Sequence, residues 1–228
     1  MKGKLIVFEG VEGCGKTTQI KRTEAWLLEN PVVQHMRRRD FQRRVYLTRE
    51  PGGTGLGTRI RQILLGESGD SDQLGIDNQA ELLLYAADRA QHVQKFLMPH
   101  LDQGAIILCD RYTDSTVAYQ GYGRGLNLQV IEQLNHIATG GLESDLTLWL
   151  DLDAEIGLAR TRNRGVCDRI EQANLEFHRR VQRGFATLAD THPNRIIRID
   201  AQGTEQDVAR QIQSVLEEKL VRWYPALT

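Results

Sequence analysis

The chain lacks the marks of several common functions. Its three cysteines, Cys14, Cys109 and Cys167, are scattered without metal-ligand spacing, so free thiols in a reducing compartment are expected. No charge of one sign dominates: 29 Lys and Arg stand against 30 Asp and Glu, a balance that argues against a protein built to coat DNA or an anionic membrane. The N-terminal "MKGKLIVFEG" has too short an apolar run for a signal peptide, and no later stretch approaches the ~20 apolar residues of a membrane span. A soluble cytoplasmic protein is expected, with neither nucleic acid nor membrane as a partner. No repeat or low-complexity segment interrupts the chain. Two diagnostic motifs are also missing, the guanine-reading N-K-x-D and the L-S-G-G-Q of one transport ATPase class.

What is present is a single-domain length, 228 residues with 40% hydrophobic and 26% charged residues. Short apolar runs recur at "KLIVFE" (4–9), "RVYLT" (44–48), "AIILCD" (105–110), "LTLWLDL" (146–152) and "RIIRI" (195–199). Such runs read as buried parallel strands, and the helix-length segments between them predict an α/β domain with helices on both faces of the sheet. The clearest helix, "AELLLYAADRAQHVQKFL", carries an expected apolar stripe of Leu83, Ala86, Ala90, Val93 and Leu97. His92 is expected on its surface. Residues 34–44, with five arginines, and the polar 66–79 segment read as surface loops.

"GVEGCGKTT" fits G-x-x-x-x-G-K-[ST] at Gly10, Gly15, Lys16 and Thr17, after a predicted strand and before a predicted helix. Glycines let backbone N–H groups surround phosphate oxygens, and the helix start adds its positive dipole end. The candidate phosphate cradle is therefore Gly10, Val11, Glu12, Gly13, Cys14, Gly15, Lys16, Thr17 and Thr18. Lys16 is expected to reach the β and γ phosphates of ATP and Thr17 to hold Mg²⁺, with Asp110 at the end of the third strand as the second metal residue. Cys14, at a helix start near Lys16, is a candidate for a lowered thiol pKa, against the plainer reading of an inert small residue.

The donor site leaves the acceptor open. Arg49 and Arg111 follow two strand ends, where ligands of open α/β sheets bind. Ser115 and Tyr119 lie one helical turn apart after Arg111, and Tyr85 and Arg89 sit four apart on the long helix. Together these residues describe a pocket for a planar base carrying a phosphate. A phosphate acceptor is already largely a dianion at neutral pH, with a second pKa of about 6, so no general base is needed. The obstacle is the meeting of two anions, which calls for cations. "RTRNRGVCDR" (160–169) supplies four arginines, of which Arg160, Arg164 and Arg169 are expected to face phosphate and Arg162 to stand aside.

In order along the chain, "FEGVEGCGKTTQ", "TREPGGT", "LLLYAADRAQH", "DRYTDSTVAYQG", "RTRNRGVCDRIE" and "IDAQGT" resemble the bacterial thymidylate kinase family. The resemblance implies a P-loop kinase fold with a five-stranded parallel sheet, an arginine-rich lid at about 160–170, and ATP-dependent conversion of dTMP to dTDP in dTTP biosynthesis, within a homodimer. By the same resemblance Arg49 and Arg111 hold the acceptor phosphate, Tyr85 stacks on thymine, Arg89 contacts a base carbonyl, and Thr116 lies at the base edge. Tyr119 crowds the 2′ position, Gln120 lines the pocket with Ser115, and Glu12 sits between sugar hydroxyl and metal. Ala201 and Gln202, in "DAQGT", approach adenine. Tyr85 departs from the family's usual phenylalanine and Cys14 from its common alanine, and 34–44 is an insertion without a counterpart. The competing readings are another nucleoside monophosphate kinase and a P-loop ATPase that applies residues 37–44 to nucleic acid.

Overall fold

The five apolar runs form the five strands of one parallel sheet, ordered β2-β3-β1-β4-β5. The computed structural model describes residues 2–39, 44–66, 75–162 and 169–225. Along the chain come β1 (Lys4–Glu9), α1 (Lys16–Glu29), α2 (Pro31–Arg39), β2 (Val45–Arg49), α3 (Gly55–Leu65) and α4 (Asn78–His92). A π-helical turn over Val93–Leu97 carries α4 into α5 (Met98–Asp102), followed by β3 (Ile106–Asp110) and α6 (Thr113–Thr116), itself extended by a π turn over Val117–Gly123. The rest is α7 (Leu128–Thr139), β4 (Leu146–Asp151), α8 (Ala154–Arg162), α9 (Leu175–Thr191), β5 (Ile196–Asp200) and α10 (Glu205–Trp223).

β1 occupies the centre, with Ile6 level with Leu108 of β3 on one side and Leu146 of β4 on the other. Alternation along the strands splits the core in two. Ile6 and Phe8 point into the layer containing Leu27, Phe177, Phe185 and Leu216, whereas Leu5 and Val7 point into the layer of Val93, Leu97, Leu101 and Tyr112. Both faces are therefore covered, and the C-terminal strand ends are left to build a site at the switch between β3 and β4.

Two sequence expectations need correction. The segment 34–39 is not a loop: it continues α2, which starts at Pro31 as N1 and buries Val33 and Met36 against the core. Residues 40–43 lie outside the described residues. On α4 the expected stripe is displaced, because Leu83 is 52% exposed while Glu81, Asp88, Arg89 and His92 are buried. Apart from the buried Leu82 the inward face of this helix is polar, and an apolar count cannot find a face whose burial comes largely from hydrogen bonds. Val93 and Leu97 are buried as expected.

Candidate active site

Between β1 and α1 the chain turns at Gly10, Gly13 and Gly15, all with positive φ. A β-carbon at Gly13 would lie 2.2 Å from the carbonyl oxygen of Gly157, so this loop packs against α8 backbone to backbone. Lys16 opens α1 and is 8% exposed. Its ammonium folds back over the loop, donating to the carbonyls of Gly10 (3.0 Å) and Val11 (3.2 Å). Cys14 is buried beneath it, and burial pushes the thiol pKa up despite Lys16 and Arg111 nearby. The expectation of an acidified thiol is thereby overturned, because desolvation outweighs the cations.

From β3 the chain enters the segment expected to hold the acceptor. Arg111 adopts a left-handed backbone, φ 70°, and reaches back to Gly10 O (3.2 Å), Ser115 Oγ (3.2 Å) and Glu12 Oε1 (2.5 Å). Tyr119 Oη donates to the same Glu12 oxygen at 2.8 Å, and the Arg111 guanidinium lies 4.8 Å from the Tyr119 ring. Burial alone would raise the Glu12 pKa, but Arg111 and Lys16 hold it at about 2. Glu12, Arg111 and Tyr119 thus form one unit, with the π turn presenting Tyr119 and Gln120 on the pocket side.

Arg89 forms the floor. It is 2% exposed, and donates through Nε to Glu50 Oε2 (2.8 Å), through Nη1 to Thr116 Oγ1 (2.9 Å) and Asn135 Oδ1 (2.6 Å), and through Nη2 to the carbonyl of Tyr112 (2.9 Å). Of its five N–H groups, these account for four. His92, expected on the surface, is fully buried and bridges Glu50 Oε1 (2.8 Å) and Thr48 Oγ1 (2.7 Å). It ties the end of β2, and hence the Arg49 strand end, to α4.

All this surrounds one cavity of about 580 Å³, walled by the phosphate loop from Glu12 to Thr18 and by Arg49, Tyr85, Arg89, Asp110, Arg111, Ser115, Thr116, Tyr119 and Gln120. The family model described as thymidylate kinase matches residues 8–212. The chain belongs to the thymidylate kinase family. A thymidylate kinase of Cyanothece sp. is 55% identical over the whole chain and 99% of its own length, and that of Trichodesmium erythraeum is 55% identical over 98% and 99%. Among solved structures, the thymidylate kinase of Ehrlichia chaffeensis superposes with a TM-score of 0.73 at 32% identity, over 95% of this chain and all of that one.

The expected adenine loop and arginine-rich segment are placed unevenly. Ala201, Gly203 and Glu205 line the cavity, but Gln202 does not: its side chain is exposed and its N–H donates to Asp200. Arg160 lines the cavity from the end of α8, while Arg162 is exposed away from it. Arg164 lies outside the described residues. Arg169 departs from the expected phosphate-facing position, because it pairs with the fully buried carboxylate of Glu81 and donates to Leu64 O at 2.9 Å. Glu81 also accepts from Gln120 (2.8 Å) and Arg124, and against the effect of burial these partners lower its pKa.

The metal candidates fit a magnesium ion. Asp110 Oδ1 is buried with no hydrogen-bond partner, and Asp110 shares the cavity wall with Thr17. Mg²⁺ keeps most of its waters and needs only one or two protein oxygens besides phosphates. A closed cage is therefore not required, and among the described residues no cluster of three or more His, Cys, Asp or Glu forms one. Sequence reading missed Glu9, Glu50, Glu81 and Asn135. Three of them lie inside or beside quoted motifs, so proximity to "TREPGGT", "LLLYAADRAQH" and "FEGVEG" was the available signal.

Proposed function

We propose that this one cavity holds both substrates of the family's reaction, the γ-phosphoryl transfer from ATP to dTMP that yields dTDP. As a member of the family the chain is a phosphotransferase, and dTMP is its acceptor. The observation that carries the residue roles is the continuous wall from Lys16 to Arg89. Lys16 meets the β and γ phosphates of ATP, Arg49 and Arg111 take the acceptor phosphate, and Ala201 lies toward adenine. Tyr85 stacks on thymine, Arg89 and Thr116 read its edge with Gln120 alongside, and Tyr119 with Glu12 closes the sugar side. Thr17 and Asp110 would hold Mg²⁺, which when bound neutralises charge between the phosphates. The acceptor dianion needs no base, so the protein's part is to align two anions and surround them with Lys16, Arg49, Arg111 and, from the 160–170 segment, Arg160 and Arg164.

The test is ADP release from ATP·Mg with each nucleoside monophosphate, and separately with single-stranded DNA. Turnover with dTMP should exceed that with dUMP by about tenfold or more, the scale on which a pocket reads one methyl group. Equal turnover with every monophosphate, or stimulation by DNA alone, overturns the assignment.

The homodimer reading is supported by an apolar strip across three adjacent helices. Leu56 and Ile63 of α3, Leu83 of α4, and Val130 and Ile137 of α7 are 43–75% exposed, and α4 packs between the other two. Seven-residue spacing puts each α3 and α7 pair on one helical face. Sedimentation should give a dimer that Ile137→Glu converts to monomer. No helix among the described residues is long and apolar enough to cross a membrane, and buried free thiols at Cys14 and Cys109 agree with a reducing, cytoplasmic setting.

A further inference from the structure

Glu9 ends β1 immediately before the phosphate loop, is fully buried, and does not line the cavity. Its carboxylate is directed at the segment after β3. Oε1 accepts the N–H of Tyr112 (2.8 Å) and of Ser115 (3.1 Å), and Oε2 accepts the Ser115 hydroxyl at 2.5 Å. A serine hydroxyl has one hydrogen to give. Once Glu9 takes it, Ser115 Oγ can only accept on its other side, and there Arg111 Nη1 stands at 3.2 Å.

The same carboxylate governs the other end of Arg111. That residue holds a left-handed backbone, φ 70°, which costs an L-residue about 1–2 kcal/mol. The peptide that follows it is the one whose N–H is bonded to Glu9. Backbone and guanidinium of Arg111 are thus tied to one buried group, directly through Tyr112 N–H and by relay through Ser115. An apolar residue would fill the space without the desolvation penalty of a carboxylate. That penalty is visible, since burial and then neighbouring Asp114 push the Glu9 pKa to about 7 against the opposing pull of Arg111.

We infer that Glu9 is a positioning residue of the acceptor site, which through Ser115 and the Tyr112 N–H aims Arg111 at the acceptor phosphate. Ser115 then serves as the link and not as a substrate donor. The inference rests on Arg111 holding that phosphate, so Arg111→Ala is the control. Steady-state kinetics of Glu9→Gln, Ser115→Ala and the double variant at about pH 8.5, where Glu9 is the carboxylate that accepts the Ser115 hydroxyl, decide the matter. Glutamine keeps the size and can retain the two backbone bonds, but it presents an amide N–H to the hydroxyl and reverses the relay. Each single variant should raise the KM for dTMP by about five- to tenfold, the worth of roughly one hydrogen bond, with kcat and the KM for ATP within about twofold. The double variant should be no worse than the poorer single one, because both cut the same chain. If Arg111→Ala raises the dTMP KM and Ser115→Ala does not, or if the two single effects add, the relay is refuted. If Arg111→Ala leaves that KM alone, the acceptor assignment itself falls. Should Glu9→Gln fail to fold, Ser115→Ala carries the decision alone, since it removes only a hydroxyl and leaves both backbone bonds to Glu9 in place.

Discussion

Lys16 and Arg111 meet at one atom: both donate to the carbonyl oxygen of Gly10, at 3.0 and 3.2 Å. One cation comes from the phosphate loop and one from the segment after β3, and they converge where the proposed phosphoryl transfer would need them both. A carbonyl oxygen is a weak partner beside a phosphate, so each cation can exchange it for a charge-assisted bond when substrate arrives.

Lys16→Met follows from this convergence. Methionine keeps the length and the packing of the stem but removes the charge. In stopped-time assays kcat should fall by about 10²- to 10³-fold, the scale for one preorganised charge-stabilising donor, while dTMP binding measured calorimetrically without ATP changes little. Retention of most of the turnover would remove Lys16 from the phosphate site.

Arg89 makes a different demand, because it holds the fold together as well as lining the proposed base pocket. Arg89→Ala strands the buried carboxylate of Glu50, now left with His92 alone, and frees Asn135 and Thr116 from their partner. Breaking a buried pair from one side costs about 3–5 kcal/mol. Urea unfolding should show a loss on that scale, with dTMP binding also lost. A stability change under about 1 kcal/mol would contradict the geometry, since that is the range of exposed ion pairs.

How far the sequence reaches into this site depends on what kind of group each residue is. The strands were legible because both faces of a central parallel strand are apolar, and the phosphate loop was legible because glycine, lysine and threonine each answer one geometric need. Arg111 could be placed at a strand end, but not its bond to Glu12 or its left-handed backbone. The partners of Asp88, His92, Glu50 and Glu81 were out of reach by the same token: motif proximity could flag Glu50 and Glu81, but a bond made across the fold leaves no period along the chain. The displaced stripe of α4 has this cause. A periodicity built on Leu83 scores the outer face, whereas the inner face is read by arginine and carboxylate.

Asp88 gives a pH-dependent test. It is 1% exposed, accepts the Gly52 N–H at 3.1 Å, and has its other oxygen unpartnered. Burial and then nearby Glu50 raise its pKa from 3.8 to about 6, against the opposing effects of the Gly52 bond, His92 and Arg89. A raised carboxyl pKa means the folded chain binds the proton more tightly than the unfolded one, so this group's contribution to stability falls as pH rises through that window. An asparagine side chain in its place cannot titrate. The stability of Asp88→Asn relative to the unaltered chain should therefore increase between about pH 4 and pH 6 and stay level above, followed by urea denaturation at each pH. A flat difference across the window would show that Asp88 titrates normally.

The arginines of the 160–169 stretch divide by their surroundings, and the division can be measured. Arg160 is exposed at the cavity wall, where a bound anion would be the natural partner for its charge. Arg169 is already committed to Glu81, whose fully buried carboxylate it shares with Arg124 and Gln120. Removing Arg160 therefore deletes a cation from the reaction, while removing Arg169 withdraws support from a buried charge beside the base pocket. Arg160→Ala should lower kcat with little change in melting temperature, by an amount bounded by the ~10³- to 10⁵-fold that a transition-state arginine supplies in P-loop enzymes. Arg169→Ala should lower the melting temperature and raise the dTMP KM through Gln120, which loses a neighbour on the carboxylate that orients it. Coupling to Glu81 separates these outcomes further: adding Glu81→Gln to Arg169→Ala should recover part of the stability, because the buried charge that has lost one of its two arginines is gone, whereas adding it to Arg160→Ala should leave the kcat defect where it was. If the recovery appears with Arg160 instead, the two arginines exchange roles, and the one paired in the ligand-free fold is the one that reaches phosphate.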